Sequence, residues 1–161
     1  MLDASLIWKP RSRFGGLYMG GFPHTPQDVS VRGFKLLVLC AREKLASLGD
    51  PDEESTARAY GCVTLHAPFD DDEVTPEVVK QVTRAVVAVV PAVQRCAKVL
   101  VTCNEGRNRS GLVAALSLLQ MRPRMSATQV INLIKDRRVA PNGREALTND
   151  AFRRLIETWS R

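Results

Sequence analysis

The chain has 161 residues, of which 45% are hydrophobic and 25% are charged, so it can bury a sizeable core and is not intrinsically disordered. No apolar run reaches membrane-spanning length, and the N-terminal segment lacks the basic start and apolar block of a secretory signal. The net charge of +6 favours anionic partners without choosing among phosphoprotein, nucleic acid and lipid headgroup. We expect one cytoplasmic domain over residues 1–161, of an oligomeric state that the sequence does not indicate.

The cysteine pattern predicts neither a disulfide framework nor a zinc site. None of Cys40, Cys62, Cys96 and Cys103 lies in a C-x-x-C pair, and no cysteine–histidine cluster has zinc spacing. Cys40 and Cys62 adjoin apolar runs and are expected to be small buried residues on strands. We therefore expect a reducing compartment, no bound metal and no cofactor.

Apolar runs alternate with helical patterns along the chain. The runs predict strands over residues 17–20, 34–40, 62–66 and 98–102. Capping residues and apolar spacing predict helices over residues 76–94, 110–121, 126–137 and 149–159. Pro91 is expected to kink or end the first helix, and the acidic residues 47–56 and the stretch 140–143 are expected to be loops. This order predicts an α/β fold with a mainly parallel, twisted sheet flanked by helices.

The segment CNEGRNRS, residues 103–110, joins the fourth predicted strand to a helix. Ligands of open α/β sheets bind beyond the carboxyl ends of the strands, where a helix N-terminus offers unpaired N–H groups to an anion. Arg109 can hold two oxygens of that anion, Arg107 adds positive potential, and Gly106 permits the tight turn. The predicted phosphate-binding loop consists of Asn104, Glu105, Gly106, Arg107 and Asn108.

The same field acts on Cys103, which directly precedes this loop. N–H dipoles and a guanidinium stabilise the thiolate, which is the nucleophilic form of cysteine. A thiolate beneath a bound phosphate can attack the phosphorus and form a phosphocysteine. Ser110 can donate a hydrogen bond to the sulfur and help it leave in the second step. Cys103, Arg109 and Ser110 are therefore predicted to be catalytic.

The octet C-N-E-G-R-N-R-S matches the C-x5-R-S/T signature of the cysteine-dependent protein tyrosine phosphatases. The chain resembles their dual-specificity branch over nearly its whole length, because LYMGG at residues 17–21 is similar to the opening strand and residues 127–155 are similar to the closing helices. The resemblance implies that Cys103 is the nucleophile, that Arg109 binds phosphate and that Asn142 supports the site. The family usually has histidine where this chain has Thr102, which implies a weaker or retuned enzyme.

Loss of an alkoxide or phenoxide from phosphorus needs a general acid, which then acts as base on water. The resemblance implies an aspartate from the loop before the long helix, where Asp70, Asp71 and Asp72 follow one another. The stretch from Pro68 to Asp71 resembles the P-x-x-D form of dual-specificity members, which favours Asp71 and leaves Asp70 and Asp72 as alternatives. Crowded carboxylates repel one another, which suits a group that must hold a proton.

Three functions are compatible with these residues. We expect a metal-independent phosphatase that hydrolyses phosphomonoesters on tyrosine, serine or threonine of a phosphorylated protein through phosphocysteine. The stretch from Gly106 to Arg109 also resembles the G-x-N-R of RNA 5′-triphosphatases, in which a basic surface would hold an RNA 5′ end, although the aspartate-rich loop favours phosphoesters. Thr102 suggests the third function, a phosphate-binding pseudophosphatase module.

Overall fold

A five-stranded sheet forms the middle of the molecule in the computed structural model, which describes residues 1–10, 15–138 and 143–159. Its strands are β1 (Ala4–Trp8), β2 (Gly16–Gly21), β3 (Leu36–Ala41), β4 (Val63–Phe69) and β5 (Lys98–Cys103). Their order across the sheet is β1-β2-β5-β3-β4, with β1 antiparallel to β2 and every other neighbouring pair parallel. The predicted α/β fold with a mainly parallel sheet is confirmed.

Helices cover both faces of this sheet. They are α1 (Pro26–Ser30), α2 (Arg42–Ser47), α3 (Glu53–Tyr60), α4 (Pro76–Gln94), α5 (Arg109–Met121), α6 (Ala127–Arg137) and α7 (Asp150–Thr158). Side chains alternate between the faces with the period of two that a strand imposes: Val99 and Val101 pack against α4 to α7, and Leu100 packs against α1 to α3. In the described part of the chain, none of the helices could span a bilayer.

Helix α5 lies at the centre of the larger of these two cores. Its residues from Arg109 to Leu119 are all buried, because the helix touches the sheet on one side and α4, α6 and α7 on the others. The sequence pattern predicted a single apolar face through Leu112, Leu116 and Leu119, which underestimates the burial. A helix that is buried on all sides has no polar face, so its sequence does not show which positions are buried.

The long helices and the four predicted strands agree with the sequence, and the differences lie in other short elements. Helix α4 starts after the capping hydroxyl of Thr75 and continues three residues past Pro91, since a proline in the last turn interrupts little of the hydrogen-bond ladder. Residues 47–56 are not a simple loop, because α2 ends and α3 begins within them. The edge strand β1 was not predicted either. The predicted loop 140–143, with Asn142, lies almost wholly outside the described residues.

Parallel pairing brings the carboxyl ends of three strands to one edge of the sheet. Gly21 at the end of β2 is in register with Cys103 at the end of β5, and Leu39 near the end of β3 is in register with Thr102. The loop of residues 104–108 leaves the sheet at this edge, between β2 and β3. The fold therefore places the predicted phosphate-binding loop where open α/β sheets bind ligands.

Candidate active site

The loop between β5 and α5 is packed against the end of β2. Gly106 has φ of +67°, and a Cβ at this position would lie 2.2 Å from the carbonyl carbon of Gly20. The amide of Phe22 donates to the carbonyl of Asn104 at 3.2 Å, which ties the loop to the chain after β2. Both the backbone conformation and the space require glycine, so any larger residue at position 106 would push the loop away from the sheet.

Cys103 lies at the bottom of a cavity of about 210 Å³ that this loop surrounds. Its side chain is buried, and its Sγ lies 3.4 Å from the Oγ of Ser110, which is buried behind it. The Ser110 hydroxyl is therefore in place to donate to a thiolate. The cavity is lined by the predicted site residues Asp71, Cys103, Asn104, Glu105, Arg107, Asn108 and Arg109.

Arg109 is held by Glu43, a residue of α2 that the sequence analysis did not select. Its Nη1 and Nη2 each donate at 2.6 Å to one carboxylate oxygen of Glu43, and Nη1 also donates to the carbonyl of Phe69 at 3.2 Å. Burial opposes the charge of the Arg109 guanidinium, but the hydrogen bonds to Glu43 and the nearby charges outweigh it and raise its pKa. The same hydrogen bonds hold the pKa of Glu43 below its ordinary value.

Arg109 keeps two N–H donors that the described residues do not use. A guanidinium has five N–H donors. Within the described residues, Glu43 and Phe69 take both donors of Nη1 and one of Nη2, while the buried Nε has no partner. The two remaining donors, on Nε and Nη2, lie on one edge of the guanidinium. An edge of this kind can hold two oxygens of a phosphate.

Of the three candidate acids, only Asp71 lines the cavity of Cys103. Its Oδ2 accepts from Nδ2 of Asn108 and its Oδ1 from Nδ2 of Asn149, both at 3.1 Å. Asp70 instead lies 3.4 Å from Nε of Arg42, and Asp72 accepts from Asn149 through its backbone carbonyl at 3.0 Å. The placement favours Asp71 over Asp70 and Asp72 as the group that faces a bound phosphate ester.

Arg107 braces the loop more than it faces the cavity. Its Nε donates to the carbonyl of Glu145 at 2.9 Å, and its Nη1 lies 3.1 Å from the carboxylate of Glu105. Arg138 supports the same loop from beneath, since its Nε donates to the carbonyl of Gly106 at 2.7 Å and its Nη1 to Asp3 at 2.6 Å. Glu105 and Arg107 are thus parts of the scaffold of the loop.

Thr102 takes no part in the loop that follows it. Its buried hydroxyl donates to the carbonyl of Val38 at 3.1 Å, on the neighbouring strand β3.

Cys40 is the second cysteine close to the site. Burial, and to a smaller extent the charge of Cys103, raises the pKa of the Cys40 thiol, which favours its protonated form.

Comparison with known proteins places the chain in a family. The model of the family described as Cyclin-dependent kinase inhibitor 3 (CDKN3) matches residues 25–131, which include Asp71, Cys103 and Arg109. The chain belongs to the CDKN3 family. It is a dual-specificity-like member of the cysteine-dependent protein tyrosine phosphatase superfamily. No curated protein matches the chain.

Solved structures share the fold of this CDKN3-family chain at low sequence identity. Kinase associated phosphatase, in a form with its catalytic-site cysteine replaced by serine, is 20% identical with a TM-score of 0.73, over 96% of this chain and 92% of that one. The PTP-2 phosphatase of Cydia pomonella is 18% identical with a TM-score of 0.71, over 98% and 89%. Human DUSP28 is 22% identical with a TM-score of 0.65, over 88% and 85%.

Three residues that organise the site in this CDKN3-family chain were missed by sequence reasoning. Glu43, Arg138 and Asn149 lie far along the chain from the cysteine loop, and each acts through a tertiary contact. Only Asn149 had a local signal, because an asparagine at a helix start is a common cap. Its side chain does cap α7, accepting from the amide of Phe152, and its second role toward Asp71 has no local signature.

Proposed function

We propose that this chain hydrolyses phosphomonoesters on phosphorylated proteins, as a phosphatase that uses no metal and forms a phosphocysteine on Cys103. One observation supports this most strongly. The cavity that contains the Cys103 sulfur is also lined by Asp71 and by Arg109, whose free Nε and Nη2 donors form a fork for phosphate. The proposed nucleophile, anion holder and acid thus line one space of about 210 Å³, which has room for a phosphate group.

The first chemical step would transfer the phosphoryl group to sulfur. The Arg109 fork and the N–H groups of the loop bind the phosphate oxygens, with the phosphorus above Cys103. The thiolate attacks, the P–S bond forms and the P–O bond to the substrate breaks. The electron pair of that bond goes to the leaving oxygen, which takes a proton from the carboxyl of Asp71.

The second step would return the enzyme to its starting state. A water molecule gives a proton to the Asp71 carboxylate and attacks the phosphorus, so that a new P–O bond forms as the P–S bond breaks. The sulfur leaves as a thiolate, which accepts a hydrogen bond from the Ser110 hydroxyl 3.4 Å away. Asn108 and Asn149 each occupy one oxygen of Asp71 with a single donor, so the carboxyl keeps lone pairs free for the proton.

The test is the pH dependence of p-nitrophenyl phosphate hydrolysis, with chelator present, for wild type, Cys103→Ser and Asp71→Asn. We expect wild type to give a bell-shaped profile, because the nucleophile must be deprotonated and the acid protonated. Cys103→Ser should lose turnover, and Asp71→Asn should lose the basic limb with a fall of about 10²-fold. Mass spectrometry of acid-quenched Asp71→Asn should find the phosphoryl group on the Cys103 peptide.

The outcomes separate this proposal from its alternatives. Turnover that survives in Cys103→Ser, or that stops on adding chelator, would refute the mechanism. Wild type that binds a phosphopeptide tightly without releasing phosphate would be a binding module instead. Faster release of γ-phosphate from triphosphate RNA than of phosphate from any phosphopeptide would make RNA the substrate.

A further inference from the structure

A second and larger cavity opens beside the phosphate site, on the sheet face covered by α1 to α3. Its volume is about 580 Å³, within the roughly 300–1,000 Å³ of ordinary ligand sites. Its wall is mainly apolar, and Leu48 at its rim leaves 52% of its surface exposed, which is high for a leucine. The apolar part of the wall includes Phe22, Pro23, Leu48, Pro51, Ala59 and Tyr60.

This cavity adjoins the candidate active site. Asn104, the first residue after Cys103, lines both cavities. The loop after β2 forms part of the larger wall and is bonded to the phosphate loop, since the Phe22 amide donates to the Asn104 carbonyl at 3.2 Å. A substrate whose phosphate lies over Cys103 would therefore meet this cavity within a few residues of its own chain.

Two polar side chains of the wall, Thr56 and Asp3, are engaged by the protein. The hydroxyl of Thr56 is bonded to Thr64 at 2.7 Å and lies 2.9 Å from Nε2 of His66. Asp3 is paired with the buried Arg138. The wall also contains His24, Lys44, Ser47 and Ser55, but its larger apolar part suits an aliphatic or aromatic side chain.

Two acidic residues lie next to the wall of this cavity. Asp50 and Asp52 flank Pro51 of the wall, and both are exposed. Hydrogen bonding from the amide of Ser55 lowers the pKa of Asp52, so this carboxylate is ionised at neutral pH. These two carboxylates beside Pro51 attract lysine or arginine, while Lys44 of the wall adds one positive charge inside the cavity.

We propose that the larger cavity is a second substrate subsite, which takes an apolar side chain of a phosphorylated protein within about three residues of the phosphorylated one. A basic residue of the same protein then lies against Asp50 and Asp52. The proposal rests on the proposed phosphatase function and narrows its substrates. It predicts that kcat/KM depends on the amino-acid sequence on one side of the phosphorylated residue.

The test is a scan of synthetic phosphopeptides in which one leucine or one alanine occupies each position from three before to three after the phosphorylated residue. At one position, leucine should raise kcat/KM over alanine by about 10-fold or more, because a buried apolar side chain improves binding by that order. A lysine just beyond it should raise kcat/KM further, and that gain should shrink at high salt and in Asp50→Asn.

A matched pair of tryptophan variants locates the effect. Ala59→Trp fills the cavity from an exposed position on α3, and Val87→Trp adds the same bulk at an exposed position of α4 on the opposite face of the sheet. The leucine-to-alanine ratio should fall to about 1 in Ala59→Trp and stay at the wild-type value in Val87→Trp. Equal ratios in the two variants would overturn the assignment.

Hydrolysis of p-nitrophenyl phosphate by wild type tells the two proposals apart, because this substrate is too small to reach the larger cavity. Normal hydrolysis with equal kcat/KM for every leucine and alanine peptide would overturn the subsite and leave the phosphatase proposal standing. No hydrolysis of p-nitrophenyl phosphate or of any peptide would refute both. A phosphoinositide in phosphatidylcholine vesicles that outperforms the best peptide, and loses its advantage in Ala59→Trp, would make a lipid tail the occupant and overturn the peptide assignment.

Discussion

Glu43 orients Arg109, the residue that is proposed to bind phosphate. Both of its carboxylate oxygens accept from Arg109 at 2.6 Å, and they leave the Nε of this cavity-lining residue without a partner among the described residues. Glu43→Gln keeps the shape but replaces one acceptor by an amide that cannot accept. Since a hydrogen bond to a charged group contributes about 1.5–3 kcal/mol, kcat/KM for p-nitrophenyl phosphate should fall by about 10- to 150-fold.

The pH dependence of the free energy of unfolding gives a second test of Glu43→Gln. The pKa of Glu43 is lowered by Arg109, so the pair stabilises the folded state fully above the ordinary glutamate pKa of about 4.3 and progressively less as pH falls through the lowered value. In urea unfolding, wild type should exceed Glu43→Gln at pH 7, and the gap should close in acid. Glu54→Gln, at an exposed pair with Arg58, is the control. A gap that widens in acid would contradict the assignment.

At the scale of elements, the start of α7 is bonded to the loop that carries Asp71, the proposed general acid. Asn149 caps the helix with its Oδ1 and donates through Nδ2 to Asp71 and to the carbonyl of Asp72. Asn149→Ser should keep the cap and lose the donor, because serine is a good capping residue without an amide. Stability should stay within about 0.5 kcal/mol of wild type, while kcat falls by about 10-fold or more because the acid is misplaced.

The leaving group shows whether Asn149 acts through the acid. Phenolate is a poorer leaving group than p-nitrophenolate and depends more on proton donation. The kcat deficit of Asn149→Ser should therefore be larger for phenyl phosphate than for p-nitrophenyl phosphate, and Asn149→Ala should show the same pattern with about 1 kcal/mol less stability. An equal deficit for both substrates would place the role of Asn149 outside acid catalysis.

The sequence predicts those site residues that are close to one another along the chain and those elements that are long. Cys103, Arg109 and Ser110 stand within eight positions on one strand–loop–helix unit, so their spacing alone brings them together. Helix α4 was predicted from Pro76 to Gln94 because nineteen residues carry a long apolar pattern and a start signal. Helix α3 has only eight residues, and its signals, the capping Asp52 and the terminal Gly61 with φ of +66°, were hidden in an acidic stretch that also suits a loop.

At the scale of the whole molecule, Arg138 connects the segment before β1 to the loop of residues 104–108. Its buried guanidinium pairs with Asp3, which lies 135 positions away, and donates to the carbonyls of Gly106 and Glu105. Arg138→Met fills much of the same volume but leaves a carboxylate and two carbonyls without their partner. Removal of one member of a buried pair costs about 3–5 kcal/mol, and the partial exposure of Asp3 points to the lower end.

Thermal unfolding and activity together test this role. We expect Arg138→Met to lower the Tm by about 6–12 °C, since about 3 kcal/mol corresponds to such a shift in a chain of this size. The folded fraction should also hydrolyse p-nitrophenyl phosphate more slowly, because the backbone of Glu105 and Gly106 loses the support that shapes the phosphate loop. Arg58→Met, which breaks an exposed pair with Glu54, should leave both quantities nearly unchanged. If Arg138→Met lowered the Tm and left kcat/KM intact, Arg138 would be a structural residue alone, and the loop would keep its shape through Gly106 and its contact with β2.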